Sequence, residues 1–409
     1  MRALLVLLHR WFGLAAALFL FIAGATGAVI SWDHELDAWL NPQLYRARSA
    51  GQPLAPLALA AKVEQADPRV RVSFMPLAVL PGQTFPVSVA PRVNPASGQL
   101  FEPGYNQVAL DPASGDIQGR REWGEVSLTR ENLLPFLYKL HYTMHMPAAW
   151  GIELGIWFMG LLALAWVLDT LVALWLALPN LRQWRRSFSL RWRAGSHKLT
   201  FDLHRSGAMW VYLLVLMLAV SSVAMNLREQ VMRPLVSWFS ELTPSPFDSR
   251  RAAPTEQPIE PVISAPQAIE LALAQAQSRG IHAPPGGLFL STTHGLWGVG
   301  FYAPDQSHGD GGLGNPWFYL DSRSGAPVGA DIPGRGSASD IVMQAMFPLH
   351  SGRIVGLPGR VLMSLMGLLV AMLCVTGVLV WARKRQARLV LRRNLNRPPV
   401  TARRAISPG

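Results

Sequence analysis

Four long apolar runs dictate what this chain can become. About 20 helical residues cross the roughly 30 Å hydrocarbon core of a bilayer. Trp11–Ser31, Ala148–Leu178, Gly207–Asn226 and Val361–Ala382, the last in an element expected over 358–382, all reach that length. The first carries no charge; the second is interrupted by Glu153 near its start and Asp169 deeper in. In hydrocarbon every backbone polar group must be satisfied internally, which leaves helices for segments of this kind. An integral membrane protein with four transmembrane helices is therefore expected. Its charged fraction of 15 % agrees, being well below the roughly 25 % of soluble domains.

The net charge of +12 would suit nucleic acid, but its distribution excludes that partner and names the lipid bilayer instead. Arg182, Arg185, Arg186, Arg191, Arg193, Lys198 and Arg205 fill the connection 179–206. Arg383, Lys384, Arg385, Arg388, Arg392, Arg393 and Arg397 fill the tail 383–409. With Arg2 and Arg10, these assign both termini and that connection to the cytoplasm. Residues 1–31 are then an N-terminus and first span, and 148–178, 207–226 and 358–382 the other spans. Segments 32–147 and 227–357 face the other side. Met1–Ala28 also has the basic start, apolar core and small residues of a signal peptide, but its uncharged stretch is long for one. The one cysteine, Cys374, lies in an apolar run. It excludes an internal disulfide, a Cys-based zinc site and covalent haem attachment through C-x-x-C-H, so any haem must be held non-covalently.

The chain repeats itself. Leu8-His9-Arg10 opens the first span and Leu203-His204-Arg205 the third. Leu140-His141 precedes the second and Leu349-His350 the fourth. Met159-Gly160-Leu161-Leu162 answers Met366-Gly367-Leu368-Leu369. Each outer segment has a helix-like stretch, Leu54–Gln65 or Ala265–Arg279, and then β-rich stretches: Arg69–Phe74 and Phe85–Ala90 in one, Gly287–Leu290 and Gly298–Tyr302 in the other. Each ends in an Asp-x-x-Ser-Gly turn, Asp111–Gly115 or Asp321–Gly325, built from residues that favour turns and positive φ. The expected fold is two parallel span–domain–span repeats, each with an α+β outer domain, related by rotation about the membrane normal as in some transporters.

That symmetry sets His9 against His204 at one end of the spans and His141 against His350 at the other. Two imidazoles facing across a bundle can supply both axial ligands of a haem iron; a proton relay is the competing reading. His145, four residues after His141, is an alternative ligand. His197 is a spare, and His34, His282, His294 and His308 show no ligand-like arrangement. Arg10, Arg205, Arg353 and Arg360 are candidates to neutralise haem propionates, against plain positive-inside charge for the first two. Asp169 is either a partner for a bundle-facing group, a proton carrier or a snorkelling side chain. Trp297, Tyr302, Trp317 and Phe318 are either domain core or the lining of an outer docking surface.

These residues carry a resemblance. Leu8-His9-Arg10-Trp11-Phe12-Gly13-Leu14, Trp32-Asp33-His34-Glu35-Leu36-Asp37-Ala38-Trp39-Leu40-Asn41-Pro42, Leu203-His204-Arg205 and Pro348-Leu349-His350-Ser351-Gly352-Arg353 are similar to segments of the PepSY-associated transmembrane proteins. That group is found in the bacterial inner membrane and is iron-regulated, and some members resemble di-haem ferric-siderophore reductases. The resemblance implies two non-covalent haem b groups, His9 and His204 holding the inner one and His141 and His350 the outer, and periplasmic PepSY-like domains. It also implies electron flow to a ferric siderophore docked on the periplasmic face; some relatives carry a fused flavin reductase domain, and here a separate electron donor, a quinol or a cytoplasmic reductase, is expected. The competing functions are a non-enzymatic membrane regulator that binds a partner through its PepSY domains and a transporter subunit for iron-siderophore uptake. No phosphate loop or dinucleotide fingerprint is present.

Overall fold

The computed structural model describes residues 1–178 and 180–395; Arg397 and the rest of the expected basic tail from 396 onward lie outside the described residues. The chain opens with α1 (Arg2–Ile30), uncharged after Arg10. Helices α2 (Asp33–Leu40), α3 (Pro42–Tyr45) and α4 (Pro56–Ala66) lead to strands β1 (Val70–Pro76), β2 (Phe85–Pro91), β3 (Gln107–Leu110) and β4 (Ile117–Arg121). Next, α5 (Leu133–Thr143) runs through a small hairpin, β5 (Ala148–Ala149) and β6 (Ile152–Glu153), into α6 (Leu154–Ala177). After α7 (Ser196–Trp210), α8 (Tyr212–Asn226) and α9 (Arg233–Ser237) come α10 (Ala265–Ser278) and strands β7 (Pro285–Ser291), β8 (Leu296–Phe301), β9 (Trp317–Asp321) and β10 (Pro327–Asp331). The last helices are α11 (Ala338–Ser351) and α12 (Leu357–Leu395).

Helices α1, α6 and α12 are long and apolar enough to cross a membrane, and α7 with α8 makes a fourth candidate bent by 72°. The chain is thus a multi-pass membrane protein. Two spans differ from expectation. The second run becomes helix only at Leu154, because Ala148–Glu153 form the hairpin. The third, expected as one rod from Gly207, breaks at Val211. Its N-terminal partner α7 is polar and is stitched to the preceding loop. Arg191 grips Asp202 with two hydrogen bonds of 2.8 and 2.7 Å, Ser206 Oγ donates to the Ser189 carbonyl, and Trp210 Nε1 donates to the Phe188 carbonyl. Asp202 is fully buried, so releasing it would strand a charge, and the bonds hold α7 off the line of α8.

The residues group into two compact units. One comprises Met1–Ile22, Ala165–Leu216 and Leu369 onward; the other comprises Ala23–Leu164 and Met217–Leu368. The second unit holds an eight-stranded sheet in the order β10-β9-β8-β7-β1-β2-β3-β4, with every neighbouring pair antiparallel. The two long segments between the spans each give four strands, and β1 meets β7 at the joint with Phe74 opposite Phe289. Helices α4 and α10 contribute Leu59, Val63, Ala268, Ala272 and Ala276 to the core on the sheet. Alanine at every fourth position lets the α10 backbone approach closely, and Ser264 with Gln267 caps its start. Trp297 and Phe318 belong to this core, and Tyr302 is buried too. Trp317 is half-buried against Phe289 and Tyr302. Each fully buried large apolar side chain contributes roughly 1.5–3 kcal/mol.

The two Asp-x-x-Ser-Gly turns are alike. Asp111 Oδ1 accepts from the amides of Ala113 and Ser114, and Asp321 Oδ1 from those of Arg323 and Ser324. Gly115 and Gly325 close them at φ 77° and 75°. Burial works to raise the Asp321 pKa, but those amides and the Arg250 guanidinium prevail and hold the carboxyl well below its usual range. A carboxylate depressed on folding stabilises above its unfolded pKa and loses that contribution as pH falls. Asp321→Asn is therefore expected to cost about 1–2 kcal/mol at pH 7. The gap to wild type should narrow as pH drops below about 4, as measured by thermal unfolding of the detergent-solubilised protein over a pH series.

Two facing histidine pairs as a candidate cofactor site

Within the first unit, His9 on α1 and His204 on α7 face each other with ring centroids 6.2 Å apart. Within the second, His141 on α5 and His350 on α11 do the same, also at 6.2 Å. Each ring is aimed by its Nδ1. His9 Nδ1 lies 3.0 Å from both carboxylate oxygens of Asp169 on α6. His204 Nδ1 lies 3.0 Å from the Leu373 carbonyl and 3.2 Å from Thr376 Oγ1 on α12. His141 Nδ1 lies 2.9 Å from the Ala23 carbonyl and 3.2 Å from Thr26 Oγ1 on α1. His350 Nδ1 lies 3.0 Å from Ser221 Oγ on α8, whose hydroxyl donates in turn to the Leu218 carbonyl.

Carbonyls and carboxylates can only accept, so His9, His141 and His204 donate through Nδ1 and keep the Nε2 lone pair; a His350 that ligates through Nε2 likewise donates to Ser221 Oγ, whose own proton can go to the Leu218 carbonyl. This is the tautomer of a metal-ligating histidine whose other nitrogen is held by an outer partner. Burial pushes the His141 and His350 pKa values down, His350 to about 4 with His141 adding to the effect. Both rings are neutral at pH 7, the form that ligates.

The spacing fits one ion held between each pair. With a metal–imidazole bond of about 2.0–2.1 Å and a centroid roughly 1.1 Å behind the nitrogen, opposed ligands have centroids roughly 6.3 Å apart. Among the described residues, no group of three or more His, Cys, Asp or Glu side chains is gathered as a metal site. Two opposed imidazoles suit an ion that brings its remaining ligands with it, as haem iron does. Small residues flank the rings. A Cβ on Gly27 would come 3.0 Å from His141 Cε1, and one on Gly377 would come 3.0 Å from His204 Cε1.

The other candidates divide. Arg10 Nε and Arg205 Nε, each next to a histidine of the first pair, are buried without a hydrogen-bond partner, which suits an incoming carboxylate such as a propionate, while Arg205 Nη2 is already given to the Arg186 carbonyl and lies 4.0 Å from Asp202 Oδ1. Arg353 is instead bound to Asp310 at 2.8 Å, and Arg360 to Glu35 and the Ser31 carbonyl. His145 turns back on its own helix, stacking on Phe136 and reaching the Phe136 carbonyl at 2.9 Å, while His141 faces His350. His34 and His308, read singly from the sequence, stand 6.0 Å apart. His34 also helps line a cavity of about 240 Å³ beside the sheet, which includes none of the four paired histidines.

Thr26, Ser221 and Thr376 were not singled out from the sequence, although a signal was present. Thr26 stands seventeen residues after His9, and Ser221 seventeen after His204. Asp169 stands nine after Gly160, and Thr376 nine after Gly367. The Nδ1 partners thus occupy matched positions.

A family model described as the PepSY-associated TM region matches residues 6–384. This chain belongs to that family. The match takes in all four facing histidines of this PepSY-associated protein together with the Nδ1 partners named above. A comparison with curated proteins found no match.

His350 relies on Ser221, whereas His141 has both a carbonyl and a hydroxyl. Ser221→Ala is expected to cost about 1–3 kcal/mol by leaving a buried N–H unpaired, and Thr26→Val distinctly less. Thermal unfolding of the two variants side by side checks the order.

Proposed function

We propose that this protein is a di-haem b reductase of the bacterial inner membrane. It passes electrons across the bilayer to ferric siderophores on the periplasmic face and so releases Fe(II) for uptake. The observation that carries the reading is the pair of facing imidazoles, repeated at the same 6.2 Å separation and with every Nδ1 held by an acceptor. When bound, a bis-His haem supplies one-electron transfer at an iron with no open position, at a potential set by its ligands and burial. His9 and His204 hold one haem, His141 and His350 the other. Arg10 and Arg205 neutralise propionates at the first. The duplication read from the sequence accounts for two such sites in one chain, each built from equivalent helices of two parallel span–domain–span repeats.

The basic residues of 182–205 and 383–393 support a cytoplasmic location for the His9–His204 end, where a quinol or a soluble reductase donates. The α+β strands of both PepSY-like segments form the periplasmic part, where the chelate docks. A hard oxygen-donor chelate holds Fe(III) better than Fe(II), so reduction loosens it.

Detergent-purified protein expressed with ample haem is expected to contain two low-spin b-type haems per chain, reducible by dithionite. His204→Ala should lose one and His350→Ala the other. With an Fe(II) trap present, the reduced wild type should release iron from a ferric siderophore. Protein that takes up no haem under these conditions would favour the regulator or transporter function and end the reductase reading.

A further inference from the structure

The four histidines share one design, but their partners differ in charge. Three Nδ1 atoms meet neutral acceptors: a carbonyl and a hydroxyl at His141, a carbonyl and a hydroxyl at His204, a hydroxyl at His350. His9 alone meets a carboxylate. Among the described residues it is the one histidine in an ion pair, with Asp169 Oδ1 at 3.0 Å and Oδ2 equally close. Asp169 occupies the position matched by Thr376 in the other half, nine residues after the corresponding glycine. Either residue accepts the Nδ1 proton. Placing an acid at one of these positions therefore adds charge without being needed for aim.

A carboxylate in a membrane span is expensive and needs a reason. Resting on the di-haem reading above, we propose that Asp169 is a positioning residue that lowers the reduction potential of the His9–His204 site below that of the His141–His350 site. A carboxylate on the outer nitrogen raises the basicity of the ligand. Its charge also favours the ferric iron, which carries one more positive charge than the ferrous. The surroundings make this attraction stronger than it would be in water. Arg10 and Arg205 each follow a histidine of this pair in the chain, and Arg205 is engaged by the Arg186 carbonyl and Asp202, whereas Asp169 acts through the ligand itself. The effect is on an equilibrium: one electron is gained or lost at the iron, supplied by dithionite or a quinol, and no bond is made or broken in the protein. A lower potential where electrons enter makes their passage toward the ferric chelate downhill.

The test is a spectroelectrochemical titration of full-length, haem-loaded protein, with haem content measured first. Wild type is expected to show two midpoint potentials. Asp169→Asn should raise the lower one by at least a tenfold change in the reduced-to-oxidised ratio, about 59 mV for one electron, and leave the upper one in place. Asp169→Glu should restore much of the shift, and one of the two low-spin EPR signals should move in Asp169→Asn alone. If Asp169→Asn fails to load its first site, Thr376→Asp decides. It puts a second carboxylate on the same pair and should lower the same potential further. Two bound haems with both potentials unmoved in Asp169→Asn, or by Thr376→Asp when that variant decides, would overturn the inference. A wild type without haem would instead defeat the di-haem reading itself.

Discussion

Everything at the candidate site depends on one interaction: an acceptor on a neighbouring helix takes the Nδ1 proton of each facing histidine. An imidazole on a helix can swing about two torsions. A hydrogen bond to a carbonyl, hydroxyl or carboxylate removes that freedom and selects the tautomer whose Nε2 is free to ligate. The acceptor then holds the ring with its centroid 6.2 Å from that of its opposite number. The acceptors differ in kind, yet the two pairs share one separation. The opposed rings are therefore a property of helix packing, with the individual side chains serving it.

The packing is arranged around these rings. Gly27 and Gly377 leave room beside imidazoles, and α5 stops just after His141, with Met144 and His145 both at φ 52°. A non-glycine residue in that region is uncommon, and two in succession end a helix firmly. His145 leaves the helical path there and folds back on Phe136. The bend at Val211 has a comparable origin. Polar groups of α7, buried and bonded to the loop before it, outweigh the preference of an apolar run for a straight rod.

Much of this was legible in the chain. The apolar runs marked the crossings because hydrocarbon length is a simple constraint. The helical stretches of the two long segments between the spans and both Asp-x-x-Ser-Gly turns were readable from local chemistry, since capping and turn preferences act over a few residues. Leu-His at four span ends named the histidines. Asp169 stood out as a charge in an apolar run, with its partner left open. Hidden were Thr26, Ser221 and Thr376, because a hydroxyl in a span ordinarily bonds its own helix and carries no signal of a second partner. Arg353 drew attention by lying near His350, but proximity in sequence gave no hint of Asp310.

The sequence by itself determined membrane crossing, the candidate ligands and the doubling of motifs, because those follow from hydropathy, residue type and spacing along one strand of chain. Only the tertiary structure decided that each expected pair stands 6.2 Å apart, that His141 rather than His145 faces His350, that Asp169 bonds His9, and that strands from two distant segments join at β1 and β7 in one sheet. These depend on acceptors and edges contributed by residues more than a hundred positions away, and pairing at that range is settled by packing.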